Sequence, residues 1–286
     1  MSSILTNTGA MVALQTLKMT NQNLGNVQSE IATGKRVATA SDNSAIWAIS
    51  KVMEFDVAGY EAVEDGLGMA EAAISVAMAA GEQVISVLTE MKQLAAGGVS
   101  QAADFAKIEA DLQAREDQVT AITQGAQFNG VNLLSDDIDG NGATALTVLS
   151  SIDRSGSNTS GNGNAPTLST ISVATADFVT DVDLSGRTSI TDATTADTAV
   201  DELEVFLQYA VEGVAALGAA KARVELQRDF ISKTIDSMET GISTLVDADM
   251  EEASARLQAL QTQQQLGVQA LSIANQQPQT LLQLFR

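Results

Sequence analysis

The chain has 286 residues, of which 45% are hydrophobic and only 3% aromatic, and its formal net charge is −21. This composition is typical of long helices rich in Ala, Leu, Val and Ile, and the acidic balance argues against nucleic acid and anionic membranes as partners. Because the chain contains no cysteine and no histidine, disulfides, thiol nucleophiles, imidazole catalysis and the usual zinc ligands are excluded. We therefore expect a non-enzyme with no catalytic residue, no cofactor and no metal site.

The N-terminal segment, residues 1–34, is predicted to be an amphipathic helix of very low charge. Its apolar residues recur at steps of three and four, which places them on one seam, a single line of contact along the helix. That seam contains Ala10, Leu14, Leu17, Leu24 and Ile31, with Asn21 and Gln28 in the remaining positions. Only Lys18 and Glu30 carry side-chain charge. The segment lacks a basic start followed by a continuous apolar run, so we expect no cleaved signal peptide.

A polar connector follows, in which Gly34 is expected to end the first helix and Ser41 or Asp42 to cap the next. The second helix is predicted over 46–95, about 75 Å at ~1.5 Å per residue. Its seam contains Ile46, Ile49, Met53, Tyr60, Val63, Leu67, Ala70, Ile74, Ala77, Val84, Leu88, Met91 and Ala95, interrupted by Asp56 and Gly81. A third helix is predicted over 105–125, with Phe105, Ile108, Leu112, Val119 and Ile122 on its seam.

The middle of the chain, 129–193, changes character. Leu146, Val148 and Ile152 alternate as in a strand, and so do Ile171 and Val173. Between them, 155–164 contains only Ser, Gly, Asn and Thr, which indicates a surface loop that is a candidate for O-linked sugar. Asp137, Asp139 and Asn141 match the first half of a calcium-binding EF-hand loop, but Val148 stands where the bidentate Glu is required. We interpret that stretch as an acidic turn.

The fourth helix keeps the most regular seam, which contains Val200, Leu203, Leu207, Ala210, Val214, Leu217, Val224, Ile231, Ile235, Met238, Ile242 and Leu245. The step of five from Leu245 to Met250 breaks the register, as a junction between separately packed segments requires. The last helix has its own seam, which contains Met250, Ala253, Leu257, Leu260, Gln264, Gly267, Leu271 and Ala274. No charged side chain lies between Arg256 and Arg286.

These patterns predict a mainly α, rod-shaped protein: a long-helix bundle or coiled coil with a small β-hairpin region, and terminal helices paired as an inner arm. A two-helix arm buries too little area to be stable alone. Neighbouring copies of the same chain can bury its apolar side. A head-to-tail contact between copies that does not close into a ring produces a helical filament. The sequence therefore predicts a self-assembling homopolymer subunit.

Three motifs give the chain a resemblance to bacterial flagellins over roughly 1–134 and 200–286. The first is GKRV at 34–37 with SDNSA at 41–45, the second is QFNG at 127–130, and the third is ANQQPQ at 274–279 followed by LLQLFR at 281–286. The resemblance implies a filament subunit of the extracellular flagellum that serves swimming motility and leaves the cell by the flagellar type III route. It also implies a flagellar cap, hook-junction proteins and an export chaperone as partners.

The resemblance assigns 1–34 and 250–286 to the inner arm, 35–45 and 246–249 to connectors, 46–134 and 194–245 to an outer bundle, and 135–193 to a variable exposed region. The expected self-assembly residues are Leu14, Leu17, Leu24, Ile31, Met250, Leu257, Leu260, Leu271, Ala274, Leu281, Leu282, Leu284 and Phe285. The expected connector residues are Gly34, Arg36, Asp42, Asn43, Asp247 and Asp249.

A further set, Leu88, Glu90, Leu94 and Asp111, falls where many flagellins present a patch read by an innate immune receptor. A basic residue is expected at position 90, so the acid there predicts weak or absent activation. Two other functions remain open at this point: a hook–filament junction protein, which has similar arms, and a monomeric secreted helical adhesin or binding module.

Overall fold

The computed structural model describes residues 7–100, 104–153 and 167–284, and only the main chain of 153, 167 and 277–284. These residues form five α-helices and one two-stranded sheet. The helices are α1 (Thr8–Thr33), α2 (Ser44–Gly98), α3 (Phe105–Gly125), α4 (Ala193–Val246) and α5 (Met250–Leu284), and the strands are β1 (Ala145–Asp153) and β2 (Thr167–Ala174). The predicted mainly α fold with a small hairpin is confirmed, while the Ser/Gly/Asn/Thr loop at 155–164 lies outside the described residues.

The N-cap predicted for α2 is wrong by one or two residues. Asn43 caps the helix, because its Oδ1 atom accepts hydrogen bonds from the main-chain N–H groups of Ala45 and Ile46, both at 3.2 Å. The carboxylate of Asp42 instead accepts from the N–H groups of Ala38 and Thr39 and closes a turn within the connector. The motif therefore holds two consecutive structures, a turn and then a cap.

The chain divides into two compact units. Unit 1 comprises Met1–Val57 with Ser237–Arg286, and unit 2 comprises Ala58–Asp236. The boundaries fall inside α2 and α4, so that each of these helices contributes residues to both units.

In unit 1, α1 and α5 pack antiparallel. The amide of Gln264 donates to Asn21 Oδ1 at 2.8 Å, and the amide of Asn7 donates to the Ala274 carbonyl at 2.7 Å. The predicted seam of α5 is buried or half-buried in the order expected from the sequence, from Ala253 to Ala274. Its first member is the exception, because Met250 is 44% exposed.

The seam predicted for α1 is partly correct. Ala10, Leu17, Leu24 and Ile31 are half-buried as expected, but the positions between them are not the ones predicted. Thr20 and Val27 are buried, whereas Leu14 is 58% exposed. Thr20 tolerates burial because its hydroxyl donates to the Thr16 carbonyl at 3.0 Å. The inward positions between the confirmed ones are therefore Ala13, Thr20 and Val27, each one residue before the predicted Leu14, Asn21 and Gln28.

In unit 2, α2 and α4 run antiparallel and α3 lies back along α2. Gly81 lies against Val214, Lys92 forms an ion pair with Glu204, and the Arg115 guanidinium pairs with Glu90. The predicted seams form the core; its fully buried side chains include Val63, Leu67, Ile74, Val84, Leu88, Met91, Leu112, Leu203, Leu217 and Ile231. By length and composition alone α2 and α4 are also apolar enough to cross a membrane, as core helices of this kind often are.

The predicted strands form an antiparallel hairpin in which Val148 pairs with Ile171. The hairpin contacts both long helices of unit 2. From α2, the Tyr60 hydroxyl donates to the Ile152 carbonyl at 2.8 Å, and from α4, the Gln227 amide donates to the Ser150 carbonyl at 2.7 Å. The hairpin thus lies across α2 and α4.

The two predicted turns before β1 are present. Asn129 and Gly130 both have positive φ angles, 51° and 82°, as a tight two-residue turn requires. In the acidic stretch, Asp139 Oδ1 accepts from the Asn141 N–H at 2.9 Å, and a strand rather than a helix follows. The carboxylate of Asp139 thus closes the turn, in agreement with the structural interpretation of that stretch.

Candidate assembly surface

The outward sides of α1 and α5 carry large apolar side chains that unit 1 does not cover. All are more than half exposed: Met11, Val12, Leu14 and Met19 on α1, and Leu266, Val268 and Ile273 on α5. We call these seven residues the apolar surface of unit 1. Ile49 of α2, predicted on a buried seam, is also 54% exposed in this unit. Apolar residues on more than one side of a helix are typical of helices that pack against several neighbours.

Charge is distributed unevenly between the two units. Unit 1 contains nine acidic and six basic residues, a net charge of −3, whereas unit 2 contains 27 acidic and nine basic residues, a net charge of −18. An apolar surface with few charges can be covered by another protein without desolvating unpaired ions. The low charge and the exposed apolar residues of unit 1 are therefore typical of a surface that becomes buried in an assembly.

The residues expected to mediate self-assembly have different environments. Leu14 and Met250 are exposed, whereas Leu17, Leu24, Ile31, Leu257, Leu271 and Ala274 are half-buried. Leu260 is already buried within unit 1. Leu281, Leu282 and Leu284 belong to α5 but their side chains are outside the described residues, as is the whole of Phe285. The sequence analysis did not find six exposed apolar residues that lie off the seam; the low charge of both helices was the available signal. They are Met11, Val12, Met19, Leu266, Val268 and Ile273.

The two connectors pair with each other in unit 1. The Arg36 N–H donates to the Val246 carbonyl at 2.7 Å, and the Ala248 N–H donates to the Gly34 carbonyl at 3.0 Å. The Arg36 guanidinium donates to the Leu245 carbonyl at 3.0 Å. It therefore satisfies a carbonyl at the end of α4, where the helix dipole favours a positive charge. Gly34 has a φ of 68°, as expected for a helix-ending glycine.

The predicted connector acids act as structural acceptors. Asp249 caps α5, because its Oδ1 atom accepts from the N–H groups of Glu251 and Glu252 at 2.9 and 3.2 Å. Asp247 accepts from the Ser243 hydroxyl at 2.6 Å. Hydrogen bonds from Thr39 lower the pKa of Asp42 below its usual range. All six residues expected in the connectors lie in unit 1, where Gly34 and Arg36 contact the 245–248 segment and Asp42, Asn43, Asp247 and Asp249 cap or close their own segments.

The expected immune patch is only partly on the surface. Leu88 is fully buried in the core of unit 2, so its assignment to a surface patch is wrong. Glu90 and Asp111 are exposed and Leu94 is half-buried. Glu90 pairs with Arg115 of α3, which brings a positive charge next to the acid.

A buried polar network in unit 2 was not anticipated from the sequence. The Arg187 side chain is 2% exposed, and its guanidinium donates to Glu116 at 2.6 Å and to Glu109 at 2.8 Å. Burial alone would raise the pKa of Glu109, but hydrogen bonds from Arg187 and from the Ile190 N–H lower it overall. Glu202 accepts from the N–H and the hydroxyl of Thr188. The network fixes the segment that leads into α4, and no local pattern links residues so distant in sequence.

Within the described residues, no group of three or more acidic side chains is arranged to hold a metal ion. The polar groups of the connectors and of the Arg187 network hydrogen-bond to one another and to the main chain. The arrangement therefore supports packing and assembly.

Comparison with known proteins identifies the family. The family model for the bacterial flagellin N-terminal helical region matches residues 4–138, and that for the C-terminal helical region matches residues 192–285. Flagellin FljK of Caulobacter vibrioides is 40% identical over 100% of this chain and 99% of its own length. A flagellin of Brucella melitensis is also 40% identical, over 100% of both chains.

A solved structure supports the same fold. A putative flagellar hook-associated protein from Vibrio parahaemolyticus matches 72% of this chain and 100% of its own, with a TM-score of 0.50 at 12% identity. The family matches, the full-length relatives and the apolar, weakly charged terminal helices agree. The chain belongs to the bacterial flagellin family and is a structural subunit of the flagellar filament, the extracellular propeller of bacterial swimming.

Proposed function

We propose that unit 1 is the part of the subunit that drives polymerisation, with the inner arm (1–34 and 250–286) buried among copies of itself in the filament. The connectors, 35–45 and 246–249, join this arm to an outer bundle made of 46–134 and 194–245. The region 135–193 packs on this bundle through buried side chains such as Val173 and Phe178, and its other side faces solvent. The self-assembly residues are those expected from the sequence, together with the apolar surface of unit 1.

The observation that carries this proposal is the apolar, nearly uncharged outer side of the α1–α5 pair. A pair of helices is marginally stable in water, because the buried area barely offsets the entropy of ordering the chain. Covering the seven exposed residues of that surface with neighbouring copies supplies the missing burial, at roughly 25 cal/mol per Å² of apolar area. The arms therefore gain most of their stability on assembly.

The same marginal stability suits the export route. A chain whose terminal helices are weakly stable alone is readily kept unfolded for passage through the flagellar type III channel, without a cleaved signal peptide. We further propose that an export chaperone covers the apolar arm before passage, and that the flagellar cap and hook-junction proteins contact it at the two ends of the filament.

Seeded polymerisation tests the role of unit 1. Purified subunits are added to short filament fragments, and elongation is followed by light scattering and electron microscopy. Deleting residues 1–31 should abolish elongation while unit 2 remains helical by circular dichroism, because the deletion removes most of α1 and its apolar side chains. The matched control deletes 155–164 from the middle region and should elongate like the wild type.

Two results would contradict the proposal. A 1–31 deletion that still extends seeds would show that α1 is dispensable for assembly. A wild-type subunit that stays monomeric at high concentration with seeds, and whose termini already resist protease, would show that the arms are stable without neighbours.

A further inference from the structure

Unit 2 is strongly acidic, yet one stretch of α4 is basic and apolar. Four of the nine basic residues of unit 2 lie within 221–233, against two acidic ones, Glu225 and Asp229. Lys221 and Arg228 form ion pairs with acids of the same chain, so the positive charge used below is that of the exposed Lys233. Within the same stretch, Leu226 is 71% exposed and Phe230 is 58% exposed. Steps of four and three place Leu226, Phe230 and Lys233 on one side of the helix. We call these three residues the α4 patch.

An acidic cavity lies elsewhere in unit 2, between α3 and the segment that follows β2. Its volume is about 310 Å³. The residues that matter for its chemistry are Val119, Phe178 and Val179, which are apolar, Asp117 and Asp183, which are acidic, and Thr123. Its combination of apolar and acidic lining is the chemical complement of the α4 patch.

Thr123 has an unmet hydrogen-bonding group at this cavity. Its side chain is buried, and its Oγ1 atom has no hydrogen-bond partner among the described residues. The usual arrangement for a helical threonine, donation to the carbonyl four residues earlier, is found at Thr16, Thr20, Thr33, Thr89, Thr198, Thr234, Thr244 and Thr262. A buried hydroxyl without a partner is unfavourable, and this one belongs to a residue that lines the cavity.

We propose that the α4 patch of one subunit docks into the acidic cavity of a neighbouring copy in the filament, with Lys233 facing Asp117. This inference rests on the filament function. In a helical homopolymer every subunit presents both surfaces, and a patch that meets a different surface on the next copy propagates without closing. Opposite charges at the edge of an apolar contact fix its register and exclude wrong partners.

The two surfaces do not meet within one chain. Phe178 contacts α4 at Gly213, and Leu226 lies 13 residues further along the same helix. At ~1.5 Å per residue the separation along the helix is about 20 Å, well beyond the ~7 Å that a disulfide can span between Cα atoms. A covalent link between the two surfaces therefore reports a contact between subunits.

Disulfide formation tests the docking directly, because the chain has no cysteine of its own. Val179→Cys and Leu226→Cys are combined in one chain, which is polymerised on seeds and oxidised gently. We expect a ladder of covalent oligomers on a non-reducing gel. The control pairs Val179→Cys with Val205→Cys, an exposed α4 position outside the patch, and should give no ladder.

The outcomes separate this proposal from the filament function. If wild-type subunits fail to extend seeds, the filament function itself is wrong and the docking falls with it. If the double-cysteine chain forms filaments without a ladder, or gives the same ladder as the control pair, only the docking proposal is overturned.

A charge exchange tests the pairing of Lys233 with Asp117 independently. Lys233→Asp and Asp117→Lys should each slow seeded elongation about tenfold, and the double variant should return to within about threefold of the wild type. Lys107→Asp, an exposed charge reversal elsewhere on α3, should change elongation less than threefold. Unchanged single variants, or slow single variants that the double variant does not rescue, would overturn the proposal.

Discussion

The Nε atom of Arg187 lies 2.6 Å from a carboxylate oxygen of Glu116, 71 residues earlier in the chain, and the Arg187 side chain is 2% exposed. Removing one partner of a buried ion pair leaves an uncompensated charge. We expect Arg187→Met to lower the free energy of unfolding of unit 2 by about 3–5 kcal/mol. Urea unfolding at pH 7, followed by circular dichroism, measures this loss.

The control for that variant is an exposed ion pair. Lys92→Met breaks the contact with Glu204 in the same unit, where the two side chains are 36% and 57% exposed, and should cost less than about 1 kcal/mol. Equal losses in the two variants would mean that the buried network contributes no more than a surface pair.

The lowered pKa of Glu109 predicts a specific pH dependence. Because the pKa in the folded state lies below the ordinary value of 4.5, the ionised carboxylate stabilises the fold above pH 4.5. This contribution is lost as the pH falls through the folded pKa. The free-energy difference between the wild type and Glu109→Gln should therefore be constant above about pH 6 and shrink below pH 4.5.

Urea unfolding of both proteins at several pH values between 7 and about 3 measures this difference. Comparing the two proteins removes the contribution of the other acids. A difference that stays constant down to the lowest pH would contradict the assignment of Glu109 as an ionised partner of Arg187.

Two glycines of α2 should respond oppositely to the same substitution. A Cβ atom on Gly81 would lie 2.5 Å from Val214 Cγ2, whereas nothing lies within 4 Å of the corresponding position on Gly68. We expect Gly81→Ala to destabilise unit 2 by about 1–3 kcal/mol through overpacking. Gly68→Ala should stabilise it by up to about 1 kcal/mol through helix propensity. Thermal unfolding of the two variants checks the signs, and equal shifts would show that α2 and α4 are less closely packed at Gly81.

The net charge of −18 on unit 2 should make polymerisation sensitive to salt. Neighbouring subunits bring these acidic units close together, and their repulsion is screened over about 10 Å at 0.1 M ionic strength. We expect the seeded elongation rate to rise between about 10 and 150 mM NaCl. A chain without residues 1–31 serves as the control, since it should remain monomeric at every salt concentration. A rate that falls with salt would indicate that attractive ion pairs dominate the contact.

The seam of α5 was predictable because the neighbours of Ala253 and Leu260 are polar or small, so no large apolar residue competes for the buried face. On α1 the same periodicity predicts Leu14, which is exposed, and leaves out Thr20, which is buried. A helix that is covered on several sides has apolar residues on several faces, so periodicity alone does not identify the face used within the chain. The Arg187 network was not predictable, because charged residues are usually exposed and its partners come from distant parts of the chain.

Glu90 stands where flagellins recognised by an innate immune receptor are expected to have a basic residue. In this chain Glu90 is exposed and pairs with Arg115, so the local charge is distributed differently. We predict weak or absent activation of receptor-bearing reporter cells by the monomeric wild type.

Exchanging the two charges, Glu90→Arg with Arg115→Glu, keeps an ion pair and should raise the signal, because positive charge returns to position 90. Glu212→Arg, an exposed reversal on α4, is the control and should leave the signal low. Full-strength signalling by the wild type would show that the acid at position 90 does not prevent recognition.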